Sequence, residues 1–215
     1  MASEMTRNPR SAVAQRILAL NTSTEECMKD VYSSAARAWQ ATPDPTYCLA
    51  KGAVNRLRAM ELWYQQVRYD GPWDHKPVIK RRAEFHSRTG EAEYHIFGDT
   101  AYNFDVWSNV HYGYVGLAVG FERNLLLDGA GAAQLMHELG PRPPWPERSG
   151  PWILPRTWDK SEDRIAINLG FELHRRIPTQ MLAEVLVREV TKTKGLLTRP
   201  AQSAKPGAPT SGKTR

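Results

Sequence analysis

The chain has 215 residues, is 24% charged and 41% hydrophobic, and carries a net charge of +6. That length supports one domain with a core large enough to fold unaided. No stretch reaches the roughly 20 apolar residues of a membrane span, and the opening MASEMTRNPRSAVAQRILAL has neither a long apolar run nor a cleavage site. Membrane insertion and a signal peptide are therefore not expected.

The charge is unevenly placed. From Arg188 to Arg215 seven Lys or Arg stand against one Glu, so residues 1–187 sum to zero. Basicity belongs to the end of the chain, which weakens a nucleic-acid reading of the domain itself. Lys80-Arg81-Arg82 is a local basic run. Cys27 and Cys48 have no metal spacing and no evident partner, so a reduced, cytoplasmic site of synthesis is expected.

In chain order, residues 1–10 are expected to be flexible. Ser11–Leu20 and Glu25–Gln40 have helical periodicity, broken by the capping stretch Asn21-Thr22-Ser23-Thr24. Pro43 and Pro45 end that hairpin. A third helix spans Ala50–Val67, with Leu57, Met60, Trp63 and Tyr64 as its apolar stripe. Tyr69–Phe85 reads as irregular, and the alternation around Tyr94–Asp99 fits a short strand or an extended loop. A glycine-bearing helix follows from about Asp105 to Phe121, then Asn124–Leu139, in which Gly129, Ala130, Gly131, Ala132 and Ala133 make a narrow waist. These two are expected to pack antiparallel around Gly116 and Gly120. Residues 140–155 form a loop with six prolines, pinned by two tryptophans. Helices over Asp159–Arg176 and Thr179–Leu197 complete a domain over 11–197, ahead of a basic, low-complexity tail over 198–215. The fold class is all-α (mainly α), a compact single domain of several helices with long irregular loops and at most a short β element.

The chemistry concentrates in YNFDVWSNVHYGYVGLAVG, Tyr102–Gly120. At about 100° per residue, Trp107, Val110, Tyr114, Leu117 and Phe121 share one side, while Asp105, Asn109, Tyr112, Gly116 and Gly120 share the other. Glycine inside a helix costs about 1 kcal/mol relative to alanine, so these glycines imply close approach of a helix or a ligand. Asp105, Asn109 and Tyr112 place a carboxylate, an amide and a phenol on one stripe, the floor of a polar pocket, unless Asp105 merely caps the helix and Asn109 holds a loop. His111 is the candidate general acid–base, because it titrates near neutral pH. It lies about 120° from Asp105 on the wheel, so its partner must come from elsewhere. Asp159 and Glu162 read as a capping box. Asp163 faces the core side of its helix without that explanation, and a buried acid must be paired or at a site. Trp73, Asp74, His75 and Lys76 form a proline-bracketed loop that offers acid–base groups and a cation to a substrate, or else a surface turn anchored by Trp73. His137 and Glu138 diverge, and His86, His95 and His174 stand alone. No HxxxH or CxxC spacing and no Gly-rich phosphate loop is present, so neither a metal nor a cofactor is indicated.

FDVWSNVHYGYVG with the following LLLDGAGAAQL, GPWDHKP at Gly71–Pro77 and DKSEDRIAINLG at Asp159–Gly170 together resemble the bacterial polymorphic toxin type 44 family. Where that family's pattern reads WDYK, this chain has His75. The resemblance implies an antibacterial effector with a cognate immunity protein, delivered by a dedicated secretion system with an adaptor or chaperone, and ribonuclease-like. On that reading the domain is a metal-independent hydrolase of RNA. His111 moves the proton, Asp105, Asn109 or Lys76 orient the ribose-phosphate, and Asp163 orients the histidine. A second reading is a cell-wall hydrolase with Asp105 and Asp163 as its carboxylate pair, suited to a neutral domain rich in Trp and Tyr. A third is a non-catalytic helical binding module that uses Tyr112 and the tryptophan-bearing loop.

Overall fold

The structure, a computed structural model, describes residues 1–35, 44–81, 93–138 and 154–200. Arg82, His86, the loop over 140–153, the side chains of His137 and Glu138, and the tail from 201 lie outside the described residues.

Helix α1 (Ala2–Arg7) and a 3-10 turn (Asn8–Arg10) open the chain, where a flexible start was expected. Met5 is fully buried, and Ala2 and Asn8 nearly so. The Thr6 hydroxyl also accepts from the Met181 amide at 3.0 Å, which ties the segment to the far end of the domain.

Helix α2 (Ala12–Ala35) runs unbroken through the stretch read as a cap. The Thr22 and Ser23 hydroxyls donate back to the Leu18 and Leu20 carbonyls, at 3.1 and 2.8 Å, so the polar run bonds within the helix. Helix α3 (Pro45–Val67) starts on Asp44, whose carboxylate accepts from Thr46 N at 2.8 Å, with Pro45 at the first helical position. The two helices pair closely, since a Cβ at Gly52 would overlap the Thr24 hydroxyl. They are also joined covalently. Cys27 and Cys48 form a disulfide, which overturns the reading of two unpartnered thiols. Of the stripe expected on α3 only Trp63 is buried, while Leu57 is 67% exposed and Tyr64 59%.

Helix α4 (Lys76–Arg81) leads toward a hairpin of β1 (Tyr94–Phe97) and β2 (Thr100–Asn103), turned at Gly98 with φ of 58°. β3 (Thr198–Pro200) pairs antiparallel with β2, Thr100 facing Pro200, so the first three residues assigned to the tail belong to the folded unit.

The centre is α5 (Phe104–Ala118), capped by Asn103, whose side-chain oxygen accepts from Asp105 N at 3.0 Å. Its partner across the closest approach is α7 (Ser161–Arg176), not α6 (Arg123–Glu138) as expected. A Cβ at Gly113 would strike the Ile167 carbonyl, and one at Gly170 would strike the Val110 carbonyl. Gly116 instead receives the Leu126 side chain of α6, and Gly120 ends α5 at φ 82° beside Leu18 and Asn21. The small residues of α6 serve a 3-10 turn (Pro155–Trp158), whose Pro155 carbonyl fills the space at Gly131. Arg156 fixes that turn to Asp128 through two contacts of 2.7 Å. Helix α8 (Ala183–Lys192) closes the domain with Leu186 and Val190 buried. Tyr114, Val110, Val115, Ile167, Phe171 and Met5 lie at the heart of the core. The fold is mainly α with one small sheet, as the periodicity predicts.

Candidate functional site

The first turn of α5, the start of α4 and the entry to α7 converge on one polar centre. Lys76 Nζ stands 3.1 Å from Asp105 Oδ1, with the two side chains 43% and 27% exposed. One turn further along α5, the Asn109 amide donates to Asp163 Oδ1 at 2.7 Å. Asp105, Asn109, Asp163 and Lys76, drawn from three separate stretches of sequence, are thus brought together.

A fifth member comes from a residue read as a cap. The N-cap of α7 is Lys160, without a side-chain capping bond, so the helix starts one residue later than the Asp159–Glu162 box requires. Asp159 is instead buried, only 4% exposed. Burial, reinforced by the charge of Asp163, pushes its carboxyl up to about 7. Burial likewise raises Asp163 to about 6, against the pull of Lys76 and with a further push from Asp105. The i, i+4 spacing of Asp159 and Asp163 was the available signal, hidden by the capping pattern. Both carboxyls therefore resist ionisation more than ordinary ones, chiefly because they are buried.

His111 belongs to a different cluster. It is 2% exposed. Its Nε2 lies 2.9 Å from the Asn8 amide nitrogen and 3.4 Å from His75 Nε2, with the His75 and His111 rings edge to face. Burial, and then the charge His75 would carry, hold His111 well below the ordinary histidine range. Burial also lowers His75. Asp163, expected to orient His111, is bonded to Asn109 instead, and the partners of the imidazole are Asn8 and His75.

The remaining predicted residues are structural in their contacts. Tyr112, assigned to the open stripe, packs its ring 5.3 Å from Trp63 and donates its hydroxyl to the Leu126 carbonyl at 2.9 Å. Burial raises that phenol strongly. Trp73 is 8% exposed and meets Trp63 edge to face at 5.9 Å. Asp74 shapes the loop by accepting from the Asp70 and Lys76 amides, each at 3.1 Å. Among the described residues no three His, Cys, Asp or Glu side chains are grouped to hold a metal ion.

The domain is thus mainly helical, with carboxylates gathered at the first turn of α5 and the entry to α7. Residues 62–176, more than half of the chain, match the bacterial toxin 44 family. The chain belongs to that family and is a bacterial toxin domain. Lys76, Asp105, Asn109, Asp159 and Asp163 all lie within the matched span. No curated protein and no solved structure matches the chain.

Proposed function

We propose that this toxin domain is a cell-wall hydrolase that cleaves a glycosidic bond of peptidoglycan with Asp105 and Asp163. The observation that carries the reading is the Asp163 carboxyl, held by Asn109 at 2.7 Å, beside the ion pair of Asp105 with Lys76 at 3.1 Å. Two carboxyls in unlike environments are what glycoside hydrolysis requires. Asp163, oriented by Asn109 and more exposed than Asp159, gives its proton to the glycosidic oxygen as the bond to the anomeric carbon breaks. Asp105 supplies negative charge to that carbon and takes the proton of the incoming water. The products are a new reducing end and a free hydroxyl. Asp159 is a positioning residue, a buried carboxyl whose ionisation the charge of Asp163 opposes.

The ribonuclease-like activity implied by the family resemblance fits this centre less well. It would set an anionic backbone against three carboxyls, with Lys76 already committed to Asp105. A cognate immunity protein and delivery into a competitor's envelope complete the proposal. Expression in a bacterium with and without an export signal tests it. Toxicity confined to the exported form supports wall hydrolysis, and toxicity confined to the cytosolic form overturns it.

A further inference from the structure

We propose that the Cys27–Cys48 disulfide forms only after the chain has left its reducing site of synthesis, and that it then fixes the loop leading to Lys76 in place. The bond ties α2 to α3, 21 residues apart in sequence. α3 needs such a tie, because its outer side is open. Tyr47, Val54, Leu57 and Tyr64 are all at least half exposed, so α2 is the main support for that part of the helix. The far end of α3 passes directly into the site. Arg68 N donates to Tyr64 O at 2.9 Å, Gly71 N to Arg68 O at 2.8 Å, and Trp73 N to Gln66 O at 2.9 Å. These bonds weld the loop to the last turns of α3, two residues before His75 and three before Lys76. Freedom in α3 is therefore freedom in the Lys76–Asp105 pair.

Cysteines remain thiols in a reducing cytosol and persist as disulfides in the bacterial periplasm. Cys48 is fully buried and Cys27 half-buried, so Cys27 is the first to react. Its thiolate attacks a disulfide oxidant of the receiving envelope and forms a mixed disulfide, releasing one thiol of the oxidant. The Cys48 thiolate then displaces the second. The two cysteines lose two electrons and two protons, and the oxidant's disulfide is reduced to two thiols. The link from this bond to activity rests on the wall-hydrolase reading, whereas its formation and its hold on the loop do not.

The test compares the whole chain kept in reductant with the chain oxidised by glutathione disulfide, alongside a Cys27→Ala/Cys48→Ala variant. Denatured samples should titrate two thiols when reduced and none when oxidised. The reduced chain should unfold about 6–12 °C lower than the oxidised one, with the double variant near the reduced value and unmoved by reductant. Hydrogen exchange at the Gly71 and Trp73 amides should be roughly tenfold faster in the reduced form. Release of reducing ends from purified sacculi should fall several-fold on reduction. Thiols that survive glutathione disulfide, equal unfolding midpoints, or unchanged exchange at Gly71 and Trp73 overturn the proposal. If neither form attacks sacculi, the wall-hydrolase reading fails, while thiol count, midpoint and exchange still decide the disulfide's role.

Discussion

Lys76 and Asp105 meet across 3.1 Å from opposite sides of the polar centre, one at the start of α4 and the other in the first turn of α5. Both are partly exposed, so the pair contributes little to folding, under about 1 kcal/mol. Its value lies in holding a charged carboxylate at a fixed place. Lys76→Met should leave the unfolding midpoint within a few degrees of wild type while lowering turnover at least about tenfold, and Lys76→Arg should recover part of it. Thermal unfolding and initial rates on the same preparations check this. Equal turnover in Lys76→Met would remove the pair from the mechanism.

Asp159 shapes the pH dependence of stability. Its folded-state value of about 7 lies above the ordinary 3.8. The protonated form is therefore favoured in the fold, stability is greatest below 3.8, and it declines as pH rises to about 7. Asp159→Asn removes that decline. At pH 8 the variant should be more stable than wild type by on the order of 2–4 kcal/mol, and at pH 4 nearly equal. Activity should drop, and any limb of the pH–rate profile near 7 should disappear because the carboxyl that ionises there beside Asp163 is gone. Denaturant melts at the two pH values decide it.

The glycines of α5 should respond unequally. Gly113→Ala drives a methyl group into the Ile167 carbonyl, which is backbone and cannot rotate aside. The loss should be about 1–3 kcal/mol despite the helix propensity gained. Gly116→Ala meets the end of the Leu126 side chain, which can turn, so its net effect should stay within about 1 kcal/mol. A midpoint raised by Gly113→Ala would contradict the close α5–α7 contact.

How far the sequence reaches is clear from these residues. Asp105 and Asn109 stand out because they share one polar stripe with bare glycine backbone, Asp163 because a helical wheel puts an acid on the core side, and WDHK because prolines bracket it. Asp159 was concealed because D-x-x-E is also a sound capping signal, and only burial separates the two meanings. The partner of His111 could not be found locally, since Asn8 lies 103 positions away and in a segment whose order depends on Met5 reaching the core. The α5–α7 contact was missed for a related reason. Small residues in α6 and α5 suggested each other, yet Gly131 is matched to Pro155 and Gly113 to Ile167. Periodicity reports which face is bare, not which neighbour covers it.

His111 should behave as part of the framework. Its folded-state value is depressed from 6.5, so the stability it contributes is full above 6.5 and is lost as pH falls below that. This slope is opposite in sign to that of Asp159. His111→Ala leaves the Asn8 amide without its partner inside a cavity, and should cost about 2–4 kcal/mol. The variant should also lose less stability than wild type between pH 7 and pH 5. Comparing both proteins by denaturant melts at those pH values isolates the histidine's share.

The central claim is that Asp105 and Asp163 hydrolyse a glycosidic bond in the cell wall. Its most direct measurement is the release of soluble fragments with new reducing ends from purified peptidoglycan sacculi, run in parallel with total RNA as the alternative substrate. Wild type should solubilise sacculi and leave RNA intact, while Asp163→Asn and Asp105→Asn, folded by thermal melt, should each lose at least about a hundredfold of that activity. Degraded RNA with intact sacculi, or full wall hydrolysis by the Asp163→Asn protein, would contradict the account.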